Sequence, residues 1–159
     1  MNEQIKQKFC QELGEEQVLF EEPMKRHTTF RIGGPAEVFV MPRTIEEIQK
    51  TLEICRREKL SYFILGNGSN LLVSDQGYKG VIIQMDRNME QITVEGTEIR
   101  AAAGALLSSI AVAARRASLT GFEFAGGIPG TLGGAVVMNA GARSEEHTSE
   151  LQSLEAISY

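Results

Sequence analysis

Two clusters of glycine carry most of the chemistry this chain can offer. The first, Gly66-Asn67-Gly68-Ser69-Asn70, stands between the apolar runs 62–65 and 71–73. Glycines at this spacing let consecutive main-chain N–H groups turn into one concavity, which suits an anion. Ser69 and Asn70 add side-chain donors. The same residues also read as a tight hairpin turn, for which Asn-Gly is a strong short signal. Both readings stand on the residues alone. The Rossmann fingerprint requires G-x-G-x-x-G opening a helix. Here Leu71 occupies the third glycine position and a strand-like run follows, and no G-x-x-x-x-G-K-[ST] motif occurs.

The second cluster is Gly126-Gly127-Ile128-Pro129-Gly130-Thr131-Leu132-Gly133-Gly134, in which five of nine residues are glycine. Ordering such a run is costly, because glycine loses the most backbone freedom. Close approach of main chain to a ligand, or of main chain to main chain, would offset that cost. A flexible linker would be Ser/Gly-rich and polar, whereas this run carries Ile128 and Leu132 and continues into Val136, Val137 and Met138. Thr131 is able to donate to a phosphate and Asn139 to bond a ring edge or ribose. Two such clusters in one small chain point to a ligand with several phosphates and a flat ring, the size of a flavin or nicotinamide dinucleotide.

Other chemistries find little support. The two histidines, His27 and His147, have no Cys or His at zinc spacing, so no metal site is expected. Cys10 and Cys55 form no CxxC pair and read as buried thiols rather than a disulfide. Ser108 and Ser109 have no visible base, and His27 reads as a loop residue without a positioned partner. Arg31 and Glu123 read as solvated, and Met138 as packing.

Composition bounds the rest. The chain has 159 residues, 42% hydrophobic and 23% charged, enough for one ordinary domain and against disorder. A net charge of −5, no Trp and 6% aromatics argue against a nucleic-acid partner. The N-terminus is polar and charged, without the apolar core of a signal peptide. The run 125–142 is broken by Gly and Pro and falls short of the ~20 apolar residues a spanning helix needs. A soluble, cytoplasmic, monomeric protein with no membrane partner is expected.

The elements that must hold the glycines follow from periodicity. Ile5, Phe9 and Leu13 predict a helix over 3–13 stopped by Gly14. Residues 18–20 and 36–41 read as strands, the second ended by Pro42. Thr44-Ile-Glu-Glu47 matches a capping box. It opens a helix over 45–59 with an apolar stripe of Ile45, Ile48, Leu52 and Cys55. Residues 62–65 read as a buried strand, and 71–73, 81–84, 92–94 and 99–103 as short strands. An Ala-rich helix over 106–117 points Leu106, Ile110 and Ala113-Ala114 inward and ends on Arg115-Arg116, where cations suit the helix dipole. The order predicts an α+β fold of small subdomains without an internal repeat.

Three motifs together resemble one family. They are Thr28-Thr-Phe-Arg-Ile-Gly-Gly-Pro-Ala36, then Gly66-Asn-Gly-Ser-Asn-Leu-Leu72, then Gly127-Ile-Pro-Gly-Thr-Leu-Gly-Gly-Ala135 with Met138-Asn-Ala-Gly-Ala142. In this order they are similar to the UDP-N-acetylenolpyruvoylglucosamine reductases (MurB), flavoproteins of peptidoglycan precursor synthesis, over residues 1–142. The resemblance implies the FAD-binding fold shared with vanillyl-alcohol oxidase relatives, two small α+β subdomains clasping the flavin, here incomplete. It implies that NADPH reduces bound FAD, that hydride passes to the enolpyruvyl double bond of a UDP-sugar, and that a protein acid protonates the neighbouring carbon. By carry-over, Gly66, Asn67, Gly68, Ser69, Asn70 and Leu71 would hold the FAD diphosphate. Gly127, Ile128, Pro129, Gly130, Thr131, Gly133 and Gly134, with Asn139, would wrap the flavin. Family members are roughly twice as long, and their catalytic Arg, Ser and late Glu have no counterpart here. Weak or absent FAD retention and no turnover are therefore expected of this chain. Another flavin oxidoreductase of the same fold, with flavin attached through a residue such as His27, and a non-functional fragment are the alternatives. Composition changes after Ala142: residues 143–159 hold no Gly and four acids, and read as a foreign or disordered tail.

Overall fold

A computed structural model describes residues 2–85 and 89–141 of the chain; the tail, residues 143–159, lies outside them. The helix α1, Glu3–Leu13, opens on Asn2, whose side chain accepts from the Gln4 amide, and stops at Gly14 with φ of 95°. It buries Phe9 and Leu13. The strands β1, Val18–Pro23, and β2, Pro35–Val40, pair antiparallel. The helix α2, Ile45–Arg57, begins at Thr44, whose hydroxyl accepts from the Glu47 amide at 3.2 Å. The reciprocal half of the capping box is displaced by one residue: Glu47 accepts from the Arg43 amide. The buried stripe of α2 matches the predicted one in part: Cys55 is buried and Leu52 packs against the core. Thr51, Ile54 and Cys55 face inward while Ile45 is exposed, because Thr51 satisfies its own hydroxyl on the Glu47 carbonyl at 2.8 Å and so can be buried.

The strands β3, Tyr62–Leu65, and β4, Tyr78–Gln84, complete a four-stranded sheet in the order β1-β2-β4-β3, with β2, β4 and β3 parallel. Helices α1 and α2 cover one face, where Phe9, Leu13, Val38, Val40, Ile54, Cys55, Val81 and Ile83 form the first core. The opposite face buries Met24, Ala36, Phe39, Leu65 and Ile82 under loops rather than helices. A register shift between Ala36 and Val38 lets β2 supply Ala36 to the second face and Val38 to the first.

Two sequence expectations change here. The run 62–65 forms a strand but not a buried one: β3 is an edge, and Tyr62, Phe63 and Ile64 are exposed, with only Leu65 inside. The run 71–73 is not a strand, because Leu71 and Val73 are used to close the second face as a loop.

After residue 88 the chain builds a second, smaller unit. The strands β5, Ile92–Glu95, and β6, Glu98–Ala101, form a hairpin. The helix α3, Leu107–Arg116, packs on it through Leu107 and Ile110, with Ala114 also buried and Leu106 exposed. The glycine-rich run is more ordered than a loop. It holds a 3-10 turn, Glu123–Gly127, and a short helix α4, Leu132–Val137, capped by the Thr131 hydroxyl. Among the described residues, no helix is long and apolar enough to cross a membrane.

Candidate functional site

The 66–70 turn follows β3 and leads away from it, so it is not a hairpin: β3 and β4 run parallel. Backbone crowds it from both sides. The Gly68 carbonyl accepts from the Thr29 amide at 3.1 Å. Gly68 sits at φ of 68°, and a Cβ there would lie 1.9 Å from the His27 carbonyl oxygen. Only glycine meets both demands. On the other side, a Cβ on Gly66 would lie 2.3 Å from the Thr131 hydroxyl. The Ser69 hydroxyl donates to the Pro129 carbonyl at 2.8 Å. The two glycine clusters, about sixty residues apart in sequence, are therefore in contact in the fold.

The geometry leaves donors unspent. None of the main-chain N–H groups of residues 67–71 donates a hydrogen bond within the described residues, nor does that of Gly130. A run of unspent amides in a turn with a left-handed glycine is the arrangement of an anion-binding nest. Its main-chain dipoles supply positive potential without a cation, which accommodates the chain's net charge of −5. A dinucleotide diphosphate fits this donor set.

The remaining expected residues are placed as follows. Asn67 and Asn70 are exposed beside the turn, and Leu71 is half-buried under it. Ile128 and Leu132 pack into the core of the second unit. Thr131 is buried, and its hydroxyl accepts from the Gly134 amide, so its oxygen serves the α4 cap. Gly133 donates to the Ala103 carbonyl, and a Cβ there would crowd Ala103 at 3.0 Å. Gly127 has open space around it, and Asn139 is exposed at φ of 47°. Val137 and Met138 are exposed rather than packed.

One neighbour of the turn is not evident from the glycine clusters alone: the loop 27–34. Its signal in the sequence is Gly33-Gly34-Pro35, where Gly34 packs against the Asp75 carbonyl and donates to Ser74 at 2.9 Å. His27 anchors this loop. Its Nε2 lies 3.0 Å from Glu22 and its ring lies over Phe39, with centroids 4.1 Å apart. Arg31, Phe30 and Ile32 are exposed on the same loop, with Arg31 at φ of 54°. Glu123 accepts from the Gly121 amide at 2.7 Å and does not approach the turn's contacts.

Cys10 and Cys55 are free thiols. Burial pushes the Cys55 thiol up to about 11 and raises that of Cys10 as well. Neither is poised as a nucleophile, since the thiolate is the reactive form. Two grooves flank α3, one of them lined by Val112, Arg115, Phe122 and Gly126. Their linings include Arg115, Arg116 and several hydroxyls but none of residues 66–71 or Gly130, so they are separate from the unspent amides.

Comparisons with known proteins bear on the family and the fold. Residues 36–158 match the family described as FAD binding domain. A UDP-N-acetylenolpyruvoylglucosamine reductase from Alkaliphilus metalliredigens is 48% identical over 157 residues, which is 99% of this chain and 52% of that protein. The crystal structure of a UDP-N-acetylenolpyruvylglucosamine reductase from Thermus caldophilus is 37% identical with a TM-score of 0.63, covering 80% of this chain and 43% of that one. An alkyldihydroxyacetonephosphate synthase shares the fold at 13% identity, with a TM-score of 0.69 over 96% of this chain and 32% of its own. The chain spans about half the length of the curated relatives it matches.

Proposed function

The chain belongs to the FAD-binding domain family, and from that premise we propose that it is the flavin-holding part of an NADPH-dependent UDP-N-acetylenolpyruvoylglucosamine reductase. The observation that carries the reading is the junction of the two glycine clusters. Five consecutive unspent amides, residues 67–71, stand beside the Gly130 amide, with Ser69 and Pro129 joining the two segments. When bound, FAD would supply the hydride chemistry, taking it from NADPH and delivering it to the enolpyruvyl double bond of a UDP-sugar.

The residues of this chain would bind and orient. The amides of the 66–70 turn would take the diphosphate oxygens, with Ser69, Asn70 and Leu71 contributing main-chain donors. The segment 127–134 and Asn139 would border the flavin. Thr131 would act through its cap of α4, which holds Gly133 and Gly134 in place. Among the described residues, no side chain is assigned the proton donation the reaction needs. Without a proton donor the chain alone would turn nothing over; we further propose that it holds FAD weakly and is cytoplasmic and monomeric.

The test is an absorbance titration of the purified chain with FAD, followed by addition of NADPH and UDP-sugar. Saturable perturbation of the flavin bands without substrate-dependent NADPH oxidation supports the reading. Substrate-dependent oxidation would overturn the assignment of inactivity, and an unperturbed flavin spectrum at saturating concentration would overturn the assignment of the site.

A further inference from the structure

We propose that Ser69 is a positioning residue whose hydroxyl latches the segment 129–133 onto the 66–70 turn, and so presets the spacing of the two amide-bearing segments. That this spacing serves a dinucleotide rests on the flavin reading above; the latch itself does not.

The two segments belong to different cores. The turn sits on the loop-covered face of the four-stranded sheet, through Leu65 and Leu71. The segment 129–133 belongs to the unit built on β5, β6 and α3, through Ile128 and Leu132. Its far side is held there by main-chain bonds. Leu107 donates to Gly130 at 3.1 Å, Leu132 to Ala105 at 2.8 Å, and Gly133 to Ala103 at 2.8 Å. Its near side meets the turn through Ser69 and Pro129. Proline has no N–H, so its carbonyl is the one main-chain group it can offer. A serine hydroxyl carries a single proton, and here that proton is spent on the Pro129 carbonyl at 2.8 Å. Ser69 thus contributes to the site through its side chain as a brace and through its amide as a donor.

The bracing matters because glycine-rich main chain holds no shape of its own. Residues 130, 133 and 134 are glycine, as are 66 and 68. Two such segments would sample many separations unless something fixed them, and a ligand that bridged them would have to offset that freedom on binding. Behind the turn, the Thr29 amide fixes Gly68 from the opposite side. The turn is therefore wedged between the 27–34 loop and the 129–133 segment, and Ser69 closes the second contact.

Hydrogen exchange on the full chain without ligand tests this. In Ser69→Ala the Leu107, Leu132 and Gly133 amides should exchange about three- to tenfold faster, the opening expected when one hydrogen bond is lost. Ser69→Thr, which restores a hydroxyl, should return them to within about twofold of the parent. Amides of β4 and of the α3 interior should be unmoved in both variants, which a general loss of stability would not allow. Unchanged exchange at the three amides in Ser69→Ala, or equal acceleration throughout α3, overturns the latch. A parent chain that binds no FAD, while Ser69→Ala still speeds those three amides, leaves the latch standing and removes the flavin reading.

Discussion

Replacing Gly68 by Ala should destabilise the protein by about 2–5 kcal/mol, and the two parts of that cost are separable. The left-handed backbone at φ of 68° is disfavoured for an L residue by roughly 1–2 kcal/mol. The new methyl would also start 1.9 Å from the His27 carbonyl oxygen and 3.2 Å from the Thr28 Cα. Neither is the end of a flexible side chain, so backbone must shift, at about 1–3 kcal/mol for an overpacked site. Gly96 supplies the control. It has φ of 61°, and nothing lies within 4 Å of the place its methyl group would take, so Gly96→Ala should cost only the backbone share, about 1–2 kcal/mol. Gly66→Ala isolates the contact between the two units, since its φ is ordinary and its Cβ would meet Thr131 at 2.3 Å. The assay is urea unfolding of the three variants with a common slope. For a slope of about 1–3 kcal/mol per M, Gly68→Ala should unfold roughly 1 M earlier than Gly96→Ala. Equal midpoints for these two would refute the claim that the turn is wedged backbone against backbone.

Two further outcomes follow from the cores. Cys55 is buried among Phe9, Val38 and Ile83, with its thiol pushed up to about 11 against an ordinary value near 9. The native state therefore holds the proton where the unfolded chain has released it. Stability should be fully present below pH 9 and fall as pH rises toward 11, by about 1.4 kcal/mol for each pH unit between those two values. Cys55→Ala should flatten that alkaline limb, as read from melts across about pH 8–11. Phe39→Ala empties the centre of the second core, where Phe39 is fully buried under the His27 ring. It should cost about 3–5 kcal/mol, measured by denaturant titration, and should loosen the 27–34 loop in front of the turn.

Much of the fold was legible because local signals agreed with tertiary demands. The Thr44 cap placed the start of α2, and Gly14 the end of α1. The β-branched run of β2 read as a strand because it is buried on both faces. The errors have a shared cause: an apolar run says that burial is wanted, not what provides it. Tyr62, Phe63 and Ile64 read as a buried strand and lie exposed on an edge. Leu71 and Val73 looked like a strand and instead cap a sheet face as irregular chain. The order within 123–137 was hidden by glycine's poor helix propensity, although Thr131 three residues ahead of Gly134 was a usable cap signal. At the candidate site, the glycine clusters announced themselves by composition. Their contact with each other through Ser69 and Pro129, and the third wall from residues 27–34, depend on long-range packing that no local pattern encodes.

The most direct measurement is an amide nitrogen–proton NMR titration of the chain with FAD. The largest shifts should fall on the amides of residues 67–71 and 130–134, and Gly68→Ala should abolish them. Shifts centred instead on the groove beside α3, with residues 67–71 unmoved, would contradict the placement of the diphosphate at the glycine turn.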